Sequence, residues 1–90
     1  MVLTWPNKDP DEVLDYKVDW EARLALDTIV TSTFTVPAGI TQNSSAFDDT
    51  TTTVWLSGGT LDEVYEILNR ITTLGGRTMD QTVKIKLRRK

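Results

Sequence analysis

The sequence predicts an all-β protein, an antiparallel β-sandwich, and three observations support that prediction. Five segments either alternate apolar with polar residues or are rich in β-branched types, which is typical of strands. Turn signals separate these segments at spacings typical of a sandwich. Threonine, whose branched Cβ suits a pleated surface, supplies 15 of the 90 residues. A chain of this length forms a single hydrophobic core, so a second globular domain is excluded.

An extended N-terminal arm is predicted for residues 1–13. Pro6 and Pro10 fix their own φ angles, lack a backbone donor and push the preceding residues toward extended geometry. Asp9 is a candidate cap for one helical turn that begins at Pro10. The sandwich domain is therefore predicted to span residues 14–90.

Five strands follow from local pattern. The first and the last alternate apolar with charged residues, and the basic side chains of the last lie on its solvent side. The second is dominated by β-branched residues, the third is weaker and polar, and the fourth ends at a pair of glycines. The predicted strands are residues 14–20, 28–36, 40–47, 50–57 and 79–87.

Residues 61–73 fit two different structures. Thr60 with Glu63 fits a capping box, and apolar residues recur at helical spacing, so the local pattern favours a helix. An alternation that begins at Tyr65 fits a strand, followed by a hairpin at the glycines 75–76. Because a helix would interrupt the series of strands, the overall pattern favours the strand. In a sandwich, Tyr65 fits either a tyrosine corner, bonded to the preceding loop, or a half-buried surface position.

The residue types that most often carry catalysis are missing. The chain has no histidine and no cysteine, which removes the usual general base, disulfides and thiolate metal sites. The acidic residues lack the ligand spacing of a calcium loop, and the glycine pairs lack the lysine and hydroxyl ending of a phosphate-binding loop. We therefore predict no enzymatic activity, no cofactor and no metal. No signal peptide or membrane span is recognisable, so we expect folding in a reducing cytosol.

Several stretches, in order along nearly the whole chain, resemble one family. They include Leu3-Thr4-Trp5-Pro6, Val18-Asp19-Trp20, Phe34-Thr35-Val36-Pro37 and Thr50-Thr51-Thr52-Thr53-Val54-Trp55. In these stretches the sequence is similar to small structural proteins of tailed bacteriophages, of the fibre-tail adaptor type. Residues 61–68 depart from the pattern, since they are more helix-prone than a polar approach to a strand.

The resemblance implies an immunoglobulin-like sandwich located in the virion, at the tail or neck. It implies a non-enzymatic adaptor that links tail fibres or neighbouring tail components. The implied partners are other virion proteins, in a symmetric assembly of several copies. Nucleic acid is not expected as a partner, because the net charge is negative and no aromatic residue is interleaved with the basic run, and no membrane is expected. Synthesis is expected in the cytoplasm of the host bacterium.

Contacts with these partners are predicted at the two ends of the chain. Trp5 lies outside the strand pattern and is predicted to pack against another subunit, because tryptophan is common in interface hot spots. The basic end fits either an edge strand whose lysines prevent unwanted pairing or a site for an acidic surface, such as the acidic arm of the next copy. The candidate interface residues are Trp5, Pro6, Asp9, Asp11, Glu12, Lys84, Lys86, Arg88 and Arg89.

Two other functions fit parts of the sequence. One is an immunoglobulin-like module for glycans or host surfaces, in which Trp55 or Trp20 is an exposed stacking platform beside threonine hydroxyls. The other is a small cytosolic α+β regulator, in which residues 61–73 form a helix over a sheet.

Overall fold

Two β-sheets pack face to face in the computed structural model, which describes residues 3–88. Their alternating residues meet in one core that includes Val18, Leu56, Ile71 and Ile85. The elements are β1 (Leu3–Thr4), β2 (Leu14–Asp19), α1 (Glu21–Leu24), β3 (Ile29–Thr35), β4 (Ile40–Phe47), β5 (Thr51–Gly58), β6 (Val64–Thr73) and β7 (Thr78–Lys86). Since α1 is a single turn, the predictions of an all-β fold and of a sandwich are confirmed.

The first sheet has the strand order β1-β7-β6-β3, and the second has the order β2-β5-β4. All pairs are antiparallel except β1 with β7, which is parallel. Counted along the chain, β2 to β7 have the neighbours that strands B to G have in an immunoglobulin constant domain, where B, E and D share one sheet and C, F and G the other. This order agrees with the immunoglobulin-like prediction.

Residues 64–73 form a strand, so of the two structures that fitted this segment the structure has the one that the overall pattern favoured, and not the helix. β6 pairs with β7 from Val64 to Thr72 and with β3 on its other side. Alternate side chains from Ile67 onward are buried, which is the two-residue period of a strand and not the spacing of a helix. Tertiary pairing therefore overrides the local helical pattern. It also excludes the α+β regulator, which required that helix.

Tyr65 occupies the tyrosine-corner arrangement. Its hydroxyl oxygen accepts a hydrogen bond from the backbone N–H of Thr60, five residues upstream, at 2.9 Å. The turn before β6 closes through a bond from Glu63 N–H to Thr60 O. Gly39, which has a φ of +99°, leaves room for the tyrosine, since a Cβ there would lie 3.0 Å from the hydroxyl. Of the two alternatives for Tyr65, the structure supports the corner.

Candidate protein-interaction surfaces

The segment around Trp5 is part of the sandwich. Trp5 is 7% exposed, and its ring stacks on Tyr16 with the centroids 5.0 Å apart. Its indole N–H donates to Lys17 O, and its backbone N–H donates to Lys84 O, each at 2.9 Å. The ring is therefore used inside the chain, where a second subunit cannot reach it. This differs from the sequence-based prediction because the strand just before Trp5, β1, has only two residues and no recognisable pattern.

Lys8 extends this attachment along the end of β7. Its side chain is fully buried, and its ammonium donates to Gly58 O at 2.8 Å and to Asp9 O at 2.9 Å. The backbone forms a parallel bridge with Leu87, and Arg88 N–H donates to Lys8 O. Residues 3–8 are thus fixed to a sheet, whereas the sequence assigned them to an extended arm.

The hydroxyl of Tyr16 gives a testable consequence of this packing. It is buried and has no hydrogen-bond partner among the described residues, and burial, with Glu12 and Asp15 nearby, raises its pKa to about 12. An unsatisfied buried hydroxyl costs free energy, so Tyr16→Phe is expected to stabilise the fold by up to about 1 kcal/mol in urea unfolding.

The same substitution is expected to change how the free energy of unfolding depends on pH in the alkaline range. In the wild type the folded state keeps the phenol proton up to about pH 12, while an unfolded tyrosine loses it near pH 10. The contribution of the Tyr16 hydroxyl to the free energy of unfolding is therefore fully present below about pH 10 and is lost as the pH rises above it. Tyr16→Phe has no such group and lacks this loss. Urea unfolding at pH 9 and at pH 11 measures the difference, and equal losses in both proteins would contradict the assignment.

The acidic residues of the predicted arm form one capped turn, as the sequence suggested for Asp9. Asp9 N–H donates to the Glu12 carboxylate at 2.9 Å, and Asp11 N–H donates to the Asp9 carboxylate at 2.9 Å. Glu12 N–H closes the turn on Asp9 O. Asp11 is exposed, whereas Asp9 and Glu12 are half-buried.

The basic strand β7 is not an edge strand, because it lies between β6 and β1. That interpretation of its lysines is therefore wrong. Lys84 and Arg88 are exposed and Lys86 is half-buried, with Lys84 opposite Glu66 on β6. Arg89, like Lys90, lies outside the described residues.

The acidic turn and the basic strand lie side by side in one chain, because Lys8 pairs with Leu87. The acidic turn therefore already lies beside the basic strand of its own chain. The basic strand of the next copy would have to compete with that strand for the contact that the sequence predicted. We call this region the terminal surface. It consists of Pro6, Asp9, Asp11, Glu12, Lys84, Lys86 and Arg88.

A second surface was not predicted. From Thr28 to Phe47 no residue is charged, although 26% of the chain is. This stretch forms β3 and β4, each an outer strand of its sheet, and the two contact one another on the same side of the sandwich. We call residues 28–47 the neutral wall. The charge-free stretch is visible in the sequence, but only the fold shows that it covers one side.

The tryptophans considered as glycan platforms differ in exposure. Trp20 is 1% exposed and donates its indole N–H to Asn69, so it cannot be a platform. Trp55 is 41% exposed on β5, between Asp15 of β2 and Ser44 of β4. It borders the neutral wall and adds an aromatic side chain to that side of the molecule.

Within residues 3–88, no group of three or more acidic side chains is arranged to hold a metal ion. No helix in this part of the chain is long and apolar enough to cross a membrane.

Comparison with protein-family profiles gives a match. The profile of the Gp77 family, described as podophage GP4 fiber-tail adaptor protein gp77, matches residues 8–86. No curated protein sequence matches the chain. The match covers all of β2 to β7, and it agrees with the resemblance found in the sequence.

Proposed function

Because the chain belongs to the podophage fiber-tail adaptor family, we propose that it links tail fibres to neighbouring tail components of the virion, in several copies and without catalysis. The family match over residues 8–86 is the observation that carries this proposal. Its structural role in the tail follows from the family, whereas the particular linkage is the proposal.

The geometry suits a molecule that joins two different partners. In the order β1-β7-β6-β3, the terminal surface lies along β1 and β7 and the neutral wall begins at β3. The two surfaces therefore lie at opposite edges of one sheet. One is rich in charge and the other has none, so they differ in the partner surfaces they accept.

The terminal surface is proposed to bind a neighbouring tail protein through complementary charge. Rim charges of this kind mainly direct association and specificity, and exposed pairs add little stability to the fold. Arg88 is the most informative position, since it is exposed and its backbone, not its side chain, makes the bond to Lys8. Lys84 is less suitable for reversal, because a glutamate there would lie opposite Glu66.

We expect Arg88→Glu to lower the number of copies per particle several-fold while the purified protein melts at the wild-type temperature. Lys17→Glu, an equal change of net charge at an exposed position of β2, is the matched control and should leave copy number unchanged. Quantitative mass spectrometry of purified virions measures both. Wild-type protein missing from virions would refute the adaptor function, and equal copy numbers for both variants would refute the use of the terminal surface.

Binding of a host polysaccharide is a second candidate function, favoured by the exposure of Trp55. Its ring lies on a sheet face that also carries the hydroxyls of Ser44 and Thr53, a suitable setting for a sugar ring. The isolated wild-type protein should then bind host surface polysaccharide and Trp55→Ala should not. An adaptor without this function binds none.

A further inference from the structure

The outer edge of β4 is the most open strand edge in the described part of the chain. β4 pairs only with β5, so the backbone groups along its other side face away from the sheet. Every residue from Thr41 to Phe47 is exposed, although side chains on a strand alternate between the two faces. Beyond Ile40, side chains on both faces of the strand are therefore accessible.

The other edges are better protected against pairing. β1 has only two residues, and β2 carries Asp15, Lys17 and Asp19 on its exposed positions. Charged side chains and short length are the usual devices that keep a sheet edge from adding a strand. β3 is uncharged, but its Ser32 and Phe34 are half-buried and so leave less of the strand accessible.

β4 has eight residues and neither a charge nor a proline. Its one irregularity is a bulge between Gln42 and Ser44, after which Ser44 to Phe47 pair regularly with β5. These four residues are the part of the edge best suited to a continuous ladder. The molecule thus presents a template for strand addition, in which backbone hydrogen bonds give affinity and alternate side chains give specificity.

Resting on the proposed adaptor function, we propose that β4 receives an extended, uncharged segment of another virion protein as an added strand. The neutral wall determines this chemistry. A charged residue buried against residues 28–47 would find no opposite charge there, and an uncompensated buried charge is costly. Interface centres elsewhere are likewise depleted of charge and enriched in aromatic residues.

Two exposed aromatic side chains indicate where the added strand has apolar residues. Phe47 lies opposite the buried Thr52 and so points to the core side of its sheet, yet it is 45% exposed. An apolar side chain on the added strand would cover it. On the outer face, Ser44 and Ala46 are small, which leaves Trp55 on the next strand accessible to a long side chain from the partner.

A second copy of this chain fits the edge less well. When two β4 strands overlap fully in antiparallel fashion, Phe47 of each lies opposite Ile40 of the other. Ile40 is only 5% exposed because its side chain already packs in its own core. Phe47 therefore gains no apolar cover from self-pairing, which favours a different protein as the source of the strand.

The test uses Ala46→Lys on the β4 edge with Ala22→Lys on α1 as the matched control, since both alanines are exposed. Particles of a phage that lacks the gene are complemented with each version, and mass spectrometry counts copies of the adaptor and of the other tail proteins. Ala46→Lys is expected to lower one tail protein by about tenfold, whereas Ala22→Lys leaves the particles unchanged. Equal melting temperatures of the purified variants confirm that folding is not the cause.

A reconstruction of the wild-type particle supplies the direct readout. We expect a strand of a different protein about 4.8 Å from β4. A solvent-exposed β4 edge, a strand contributed by a second copy, or equal composition of both variant particles would overturn the inference and leave the adaptor function standing. Wild-type protein missing from particles would overturn both.

Discussion

Asn69→Ala is expected to lower the free energy of unfolding by about 3–5 kcal/mol, a large part of the total for a small domain. The Asn69 side chain is fully buried between the sheets. Its amide oxygen accepts from Trp20 Nε1 at 2.9 Å and from Thr52 Oγ1 at 2.6 Å. Its amide nitrogen donates to Ser32 Oγ at 3.1 Å and to Thr33 O at 3.0 Å.

The size of the effect comes from the groups that remain after truncation. Asn69 lies on β6, and its partners lie on β3, on β5 and just after β2, so the network ties both sheets together. Alanine leaves a buried indole N–H without its closest acceptor, and Ser32 Oγ and Thr33 O lose the donor that the amide nitrogen supplied. A buried donor or acceptor without a partner costs about 1–3 kcal/mol, and the vacated volume adds to that loss.

Urea unfolding followed by tryptophan fluorescence measures the change, with Ser32→Ala as the control. Ser32 makes one of the four bonds and is half-buried, so its removal is expected to cost only about 1 kcal/mol. A loss below about 1 kcal/mol for Asn69→Ala would show that the network does not hold the sheets together.

Most of the fold was predictable because its strands carry local patterns. β2, β3, β4, β5 and β7 lie within one or two residues of their predicted bounds, since alternation and β-branched residues are properties of the segment itself. β6 was ambiguous because its helical spacing and its alternation coexist, and only pairing with β3 and β7 decides between them.

The features that sequence could not predict depend on distant partners. Lys8 looks like a surface residue until its ammonium is seen to bond with Gly58 O. The same holds for Asn69, whose burial is possible only because Trp20 and Thr52 arrive from other strands. The burial of a polar residue can be predicted from the sequence only when its hydrogen-bond partner lies nearby in the chain. The partners named here, Gly58, Trp20 and Thr52, are distant in the sequence.

In the candidate interface, too, the residues were recognisable in the sequence but their arrangement was not. The charged ends were visible as runs of like charge, but their parallel attachment within one chain was not. The neutral wall was also present as a stretch without charge. It gained meaning only when β3 and β4 were found on the same side of the sandwich.

Trp5→Ala is expected to lower the free energy of unfolding by about 3–5 kcal/mol, the usual cost of removing a large buried aromatic side chain. The substitution removes the stack on Tyr16 and the bond from the indole N–H to Lys17 O. It also loosens the attachment of β1 to β7, because the ring fixes the residue that follows β1 to Tyr16 and Lys17. Pro6→Ala, at an exposed neighbouring position, is the control and should change stability by less than about 0.5 kcal/mol.

This experiment separates a core role for Trp5 from the interface role that the sequence suggested. An interface tryptophan contributes nothing to the isolated chain, so Trp5→Ala would then leave the melting temperature unchanged and reduce only incorporation into particles. If Trp5 is instead a core residue, Trp5→Ala lowers the melting temperature of the isolated protein itself. Trp5→Phe sharpens the distinction, because it keeps the stack on Tyr16 but loses the bond to Lys17 O, and should therefore recover most of the lost stability.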